Sequence, residues 1–451
     1  MDYTQITPDE QTQMLQAIGA GSIDELFSAI PEAIRFNDLL DLPPAKSELE
    51  LQRDLSEMAA HNLGPHNMAC FMGAGAYDHF YPVLIDQLIS RGEYLTAYTP
   101  YQAEASQGSL QAFFEFQTQI ARLTGMDVAN ASMYEGATAV AEAVLMAINT
   151  SGKNRVLVAA TLHPEYRAVI NTYLDELPAE VVQLDATNGC ISQATLRDAL
   201  DDDTAAVVIQ SPNIWGLIED WEGCFKAAHE KDKTVAIAVF NPIACALLKN
   251  PGSCGADIAA GEGQPLGVSM SFGGPYLGLF AAKKQFTRKM PGRLIGRTTD
   301  TEGRPAYCLT LQTREQHIRG AKATSNICTN QGLLALRATM FMTALGKEGL
   351  KEMAEQCYHK AHYLADAIAA LDGYALKYDG PFFNEFCVTC PKEVTEVIEA
   401  AKRRGILAGV APHGRRMGRI GDPNDLLIAV TEKRTKQEMD ALVEVLQEVG
   451  Q

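Results

Sequence analysis

Hydrophobic positions change rhythm along the chain, and each rhythm implies a different element. Over residues 1–62 they follow helical spacing, as in Leu51, Leu55 and Met58. Three Ser/Thr-x-x-Glu signatures, Thr7–Glu10, Ser22–Glu25 and Ser47–Glu50, mark helix starts. "DLPPAK" at 41–46 is a rigid connector. The expectation is a helical arm over 1–62 that packs on a partner or on the main domain.

From 63 to 330 the rhythm becomes short, nearly continuous apolar runs: "RVLVAATLH" (155–163), "EVVQLDA" (180–186), "AAVVIQSPN" (205–213) and "TVAIAVFNP" (234–242). Segments of helical pattern separate them. Buried strands alternating with helices predict a mostly parallel sheet covered on both faces, hence a large α/β domain over 63–330. "GADIAAGEGQPLGVSMSFGGPYLG" (255–278) reads as strand, glycine-rich loop, strand. Residues 331–451 begin with two helical stretches and continue as strand, helix and strand, a smaller C-terminal α/β domain.

Composition narrows the function classes. With 56 acidic and 38 basic residues the formal charge is −18, which argues against a nucleic-acid surface. No apolar run reaches the ~20 residues needed to span a bilayer, and "MDYTQITPDEQ" lacks the pattern of a signal peptide. Ten cysteines lie scattered, several inside apolar runs, as expected for small core residues in a reducing cytoplasm. Cys387 and Cys390 form a lone CxxC with no second pair nearby, and His359 and His362 read as surface residues. No metal site is expected.

Ligands on parallel sheets collect at the carboxyl ends of the strands. His163, Pro212–Asn213, Asn241–Pro242 and the 261–267 loop are therefore the candidate positions. "GEGQPLG" does not fit a dinucleotide fingerprint, because its third glycine falls one position late. Gly136, Ala137 and Thr138 open a helix ahead of the strand series, a place where a helix N-terminus can hold phosphate. Aspartate-aminotransferase-type enzymes seat the phosphate of pyridoxal phosphate (PLP) at such a point. Three residues depart from their requirements. Glu135 would repel the phosphate. Asn241 stands where an aspartate would pair with the pyridinium nitrogen. Gln264 stands where a lysine would form the Schiff base, with Lys249 too early and Lys283 and Lys284 too late. The residues describe a relative of a PLP enzyme that no longer holds the cofactor itself.

"YTPYQAEASQGSLQAFFEFQTQIARLTGMDVANASMYEGATA" (98–139), "GADIAAGEGQPLG" (255–267) and "TREQHIRGAKATSNICTNQGLLAL" (313–336) resemble the P-protein, or glycine decarboxylase, family of the glycine cleavage system. The likeness spans essentially the whole chain and is closest to the N-terminal-half type of the two-chain bacterial form. It implies PLP-dependent transferase fold type I, aspartate aminotransferase-like. It also implies decarboxylation of glycine on PLP, with transfer of the aminomethyl group to the lipoyl arm of the H-protein. PLP is then expected on subunit 2, the β chain, whose "His-Lys-Thr-Phe" segment carries the lysine. In this chain the matching place reads Gly263-Gln264-Pro265-Leu266.

The same resemblance implies a cytoplasmic heterotetramer with two of each chain. Tyr98, Tyr101, His317 and Asn326 become candidates to complete the partner's site, with Ser325 and Thr329 directed toward its PLP. Arg314, His317, Arg319 and Lys322 suit a glycine carboxylate or a phosphate, with a structural interface network as the other reading, and Lys402, Arg403, Arg404, Arg415, Arg416 and Arg419 suit docking of an acidic carrier. Two other readings stay open. One is a purely structural partner of the catalytic chain. The other is a stand-alone PLP enzyme, for which the loop lysine is missing.

Overall fold

The computed structural model describes residues 5–36, 38–328 and 330–451. The chain divides into two units, residues 1–62 and 63–451. In the first, helices Pro8–Ile18 and Glu48–Ala60 each start at a reciprocal capping box, Thr7 with Glu10 and Ser47 with Glu50. The third signature, Ser22–Glu25, yields only a 3₁₀ turn, Asp24–Phe27. Neither helix buries a side chain, so the apolar stripe of Leu51, Leu55 and Met58 is exposed.

The second unit lays down β1 (Ala69–Cys70), β2 (Val128–Ala129), β3 (Arg155–Ala159), β4 (Glu180–Leu184), β5 (Thr204–Ser211), β6 (Val235–Phe240), β7 (Ile258–Glu262) and β8 (Gly278–Ala282). It continues with β9 (Leu294–Thr299), β10 (Pro305–Thr310), β11 (Ala375–Leu376), β12 (Glu385–Thr389), β13 (Ile406–Leu407) and β14 (Asp425–Ala429). Seven of these form one sheet in the order β2-β8-β7-β6-β5-β3-β4. Strands β7, β6, β5, β3 and β4 run parallel, whereas β8 is antiparallel to both neighbours.

Side chains alternate across the sheet, and both faces are buried. Leu157, Ala159, Val207, Ile209, Ala236 and Ala238 enter one apolar core. Their neighbours Val156, Val158, Ala206, Val208, Ile237 and Val239 enter the other. A sheet covered on both faces leaves its strand ends as the place for polar chemistry. Antiparallel β9 and β10 form a separate ribbon.

Toward the C-terminus a helical run, Gly332–Ala369, breaks at Gly346 (φ 63°, ψ −172°), a conformation glycine adopts readily. Strands β11, β12 and β14 follow as a three-stranded antiparallel sheet, with helices Val394–Arg403 and Lys436–Gly450. These elements share a third core, which also takes in Phe71, Ile214 and Leu217. No helix among the described residues is long and apolar enough to cross a membrane.

Candidate functional site

Strand β7 ends at Glu262, and its carboxylate bridges three segments. Oε2 accepts the Gly136 N–H at 2.9 Å, while Oε1 accepts the N–H groups of Gln264 (2.9 Å) and Leu277 (3.0 Å). Gly136 is the first residue of helix Gly136–Ser151, whose N-cap is Glu135. The Glu135 carboxylate accepts the Thr138 N–H at 2.9 Å. The helix therefore starts where the sequence predicts, but carboxylates of the chain hold its Gly136 and Thr138 N–H groups. Burial pushes Glu262 up to about 7, against the three N–H donors, and Glu135 adds to the rise.

Gln264 is fully buried and held at both ends of its amide. Its Oε1 accepts the Tyr77 N–H at 2.8 Å, and its Nε2 donates to the carbonyls of Tyr77 (3.0 Å) and Val268 (2.7 Å). Tyr77 Oη donates to Glu385 Oε2 at 2.8 Å, and the other oxygen of Glu385 accepts the Ala74 N–H at 2.6 Å. Burial pushes Glu385 up to about 7. The imidazole Nε2 of His163 lies 2.9 Å from the Ala74 carbonyl. Ala74 takes a left-handed φ of 55°, which costs of order 1 kcal/mol in a residue with a Cβ. Contacts on both sides of its peptide hold it there. One connected network thus ties the end of β7, the 73–77 loop and β12.

What space remains is small. Gly75, Tyr77, His163, Tyr166, Asn241 and Glu262 line a cavity of about 30 Å³. Such a volume holds a water molecule or two, whereas ligand pockets measure ~300 Å³ or more. Asn241 turns its Oδ1 back to the N–H groups of Ile243 (2.9 Å) and Ala244 (3.3 Å). PLP, the cofactor the fold implies, therefore does not fit this cleft. There is no amine at 264, the Gly136 and Thr138 N–H groups at the helix start are taken by carboxylates, and there is no room for a ring.

The residues expected to complete a partner's site lie elsewhere. Tyr98 is 89% exposed and Tyr101 is 52% exposed. The Tyr101 ring stands edge-on to His317, with centroids 5.7 Å apart, and 5.5 Å from the Arg293 guanidinium carbon. His317 Nδ1 is 3.5 Å from Glu315, which lies 3.8 Å from Arg293. Arg293 and Glu315 are both buried, and Arg293 also donates to the Cys328 carbonyl (3.0 Å) and to Asn330 Oδ1 (3.2 Å). This pair anchors the 311–330 loop from beneath. Asn326 is exposed. Ser325 accepts the Ile327 N–H at 3.1 Å and lies near the buried Glu142, whose carboxyl burial pushes up to about 7. Thr329 lies outside the described residues. The structure brings Tyr101 and His317 together, while Tyr98 and Asn326 make no hydrogen bond or ring contact with them.

Two expectations need correction. Arg314 does not face an anion: it is buried and donates to the carbonyls of Met290 and Gly292. His362 is not a surface histidine, since it stacks on Phe382 with centroids 4.0 Å apart and planes 2° from parallel. In the basic stretch, Lys402 and Arg404 pair with Glu399 and Glu448, while Arg415, Arg416 and Arg419 are exposed. Cys387 and Cys390 are buried, and burial raises both thiols. Sequence reasoning named the 261–267 loop but gave Glu262 no role, and it passed over Glu385 and Tyr77. Glu262 was visible as the charged end of an apolar strand, but its donors come from positions far apart in the chain.

The family model described as glycine cleavage system P-protein matches residues 1–446. A probable glycine dehydrogenase (decarboxylating) subunit 1 of Thermomicrobium roseum is 48% identical over 452 aligned residues, covering 99% of both chains. The protein of the same description from Chlorobium chlorochromatii is 50% identical, again over 99% of each. Among solved structures, an inhibitor-bound glycine decarboxylase (P-protein) of the glycine cleavage system superposes with a TM-score of 0.90 at 43% identity, covering 100% of both chains. A glutamate decarboxylase of Lactobacillus brevis (TM-score 0.68, 11% identity, 94% of this chain and 96% of that one) shares the fold alone. The sheet order, the site geometry and these likenesses agree: the fold is that of the type I PLP-dependent enzymes, and the chain belongs to the glycine cleavage system P-protein family.

Proposed function

We propose that this chain is the cofactor-free half of a two-chain glycine decarboxylase. A partner chain of subunit 2 type carries PLP on its own lysine and decarboxylates glycine, and the aminomethyl group passes to the lipoyl arm of an H-protein. PLP supplies an electron sink for the decarboxylation. This chain's part is to complete and enclose the partner's site, in a heterotetramer with two of each chain. The loop around Tyr98 and Tyr101 and the loop carrying His317, Ser325, Asn326 and Thr329 are the segments offered to that site. The exposed Arg415, Arg416 and Arg419 suit docking of the acidic carrier.

One observation carries the reading. The chain's own cleft is closed by its own side chains, while aromatic and polar groups on these loops stay solvent-facing above a buried Arg293–Glu315 pair. A buried ion pair is costly unless something fixes its geometry. Its use here is to hold the surface above it in one conformation.

Co-expression with the lysine-bearing chain tests this. The chain alone is expected to be colourless and inactive; the pair is expected to be yellow and to exchange glycine carboxylate with bicarbonate. Tyr98→Ala, Tyr101→Ala and Asn326→Ala in the assembled pair then ask whether these loops serve the chemistry. Unchanged exchange in all three would leave a purely structural subunit.

A further inference from the structure

The first N–H groups of an α-helix have no partner inside the helix, and they collect anions. At Gly136 the N–H does not stand alone. The Gln264 and Leu277 N–H groups approach the same point from the loop after β7 and from the lead into β8. Three donors from three segments make a concave nest of the kind that holds oxyanions. Its occupant is the side chain of Glu262, with one donor on Oε2 and two on Oε1. Further side-chain atoms crowd the helix start: a Cβ added at Gly136 would meet Tyr166 Oη at 2.2 Å and Glu262 Cβ at 3.0 Å.

Glu262 need not be there to cap the helix. The N-cap Glu135 already accepts the Thr138 N–H, and the Thr138 hydroxyl returns to the Glu135 backbone. The carboxylate of Glu262 is thus additional to a complete capping box, and it arrives from another strand. A second carboxylate at the helix start raises repulsion with Glu135, which only the convergent donors offset.

We propose that the Glu262 carboxyl group is the internal occupant of this cradle, holding the N–H donors that an external phosphate group would need. The binding geometry has been kept and filled from within, and the filled cradle then organises the cleft. Through Gln264 and Tyr77 it is continuous with Glu385 on β12, so the same network joins the large sheet to the C-terminal sheet. This inference concerns the chain's own cleft and stands whether or not the surface loops serve a partner.

Removing the Glu262 side chain leaves three donors facing an empty anion-sized space. The full-length Glu262→Ala chain is expected to lose roughly 3–6 °C of Tm in chloride buffer. Sodium formate or inorganic phosphate should return at least half of that loss with a saturable dose response, beyond chloride at equal ionic strength. The wild type and the space-filling Glu262→Gln should show no response beyond chloride. An alanine variant that responds to formate and phosphate only as it does to chloride overturns the proposal. Equilibrium dialysis of the wild-type chain gives a reading that does not depend on the variants folding. It should retain neither radiolabelled phosphate nor PLP, and one equivalent of either, lost on Glu262→Gln substitution, overturns the idea equally. These readouts use this chain by itself, so their failure is distinct from unchanged glycine exchange in the assembled pair.

Discussion

Two polar regions of the same unit contrast in how their groups are satisfied. In the closed cleft, Glu262, Gln264, Tyr77 and Glu385 bond to one another and to backbone, and little space is left. On the 98–101 and 311–330 loops, Tyr98, Tyr101, His317 and Asn326 are exposed, and Tyr101 and His317 touch the buried Arg293–Glu315 pair beneath them. Buried polar groups left unpaired are costly, so mutual satisfaction is what a structural region requires. Ordered polar and aromatic groups left at the surface above a costly buried ion pair suit a binding surface instead. The cleft is closed by its own side chains, and the loops keep their polar and aromatic groups at the surface.

The largest effect should come from the ion pair itself. Arg293→Ala leaves the Glu315 carboxylate buried without its cation and frees the Cys328 carbonyl and Asn330, for a loss of about 3–5 kcal/mol. Arg293→Lys keeps the charge but not the fork, and should fall between the two. Denaturant midpoints measure both. A loss below about 1 kcal/mol would mean that nothing rigid supports the loops. Next in size is Gln264→Ala, which strips hydrogen bonds from the Tyr77 N–H and the Tyr77 and Val268 carbonyls, at about 2–3 kcal/mol. A neutral result there would erase the distinction between a welded cleft and an open face.

An effect of similar size depends on pH. Burial raises the Glu142 carboxyl from 4.5 to about 7, so the folded chain keeps a proton that the unfolded chain releases. Stability from this group is complete below about 4.5 and falls as pH rises toward 7. The loss approaches about 3 kcal/mol at most, by the unit conversion for pKa shifts. One carboxylate oxygen of Glu142 has no partner among the described residues. Glu142→Gln removes the charge, so it should raise Tm relative to wild type at pH 8 and not at pH 5. Equal Tm differences at both pH values would show that the group does not titrate in this window.

Much of this was legible in the sequence because it is local. The runs at 155–163, 205–213 and 234–242 are strands because period-2 burial on two faces demands continuous apolar residues. Gly136 opens its helix, and Gln264 stands in the loop where an amine would be needed. The same limit explains what stayed hidden. Glu262 meets Gly136 across 126 positions, and Tyr77 meets Glu385 across 308, separations that no spacing rule spans. Arg314 read as an anion ligand because a charged type in a polar loop says nothing of where its guanidinium points. His362 read as solvated because its partner Phe382 belongs to another element.

The smallest effect on stability should fall on Tyr98, and it bears most directly on the comparison. At 89% exposure the ring has little to lose, so Tyr98→Ala should shift the denaturant midpoint by no more than about 0.5 kcal/mol. An interface aromatic enclosed by a partner is worth far more, often 2 kcal/mol or above. The assembled pair should therefore show what the isolated chain does not: weaker association or slower glycine exchange, by roughly tenfold or more. Tyr101→Ala should show the same split with a larger share in stability, because its ring also packs on Arg293 and His317. If both substitutions leave association and exchange intact, the exposed loops are ordinary solvated surface. The contrast with the closed cleft would then reflect only which residues happen to be buried.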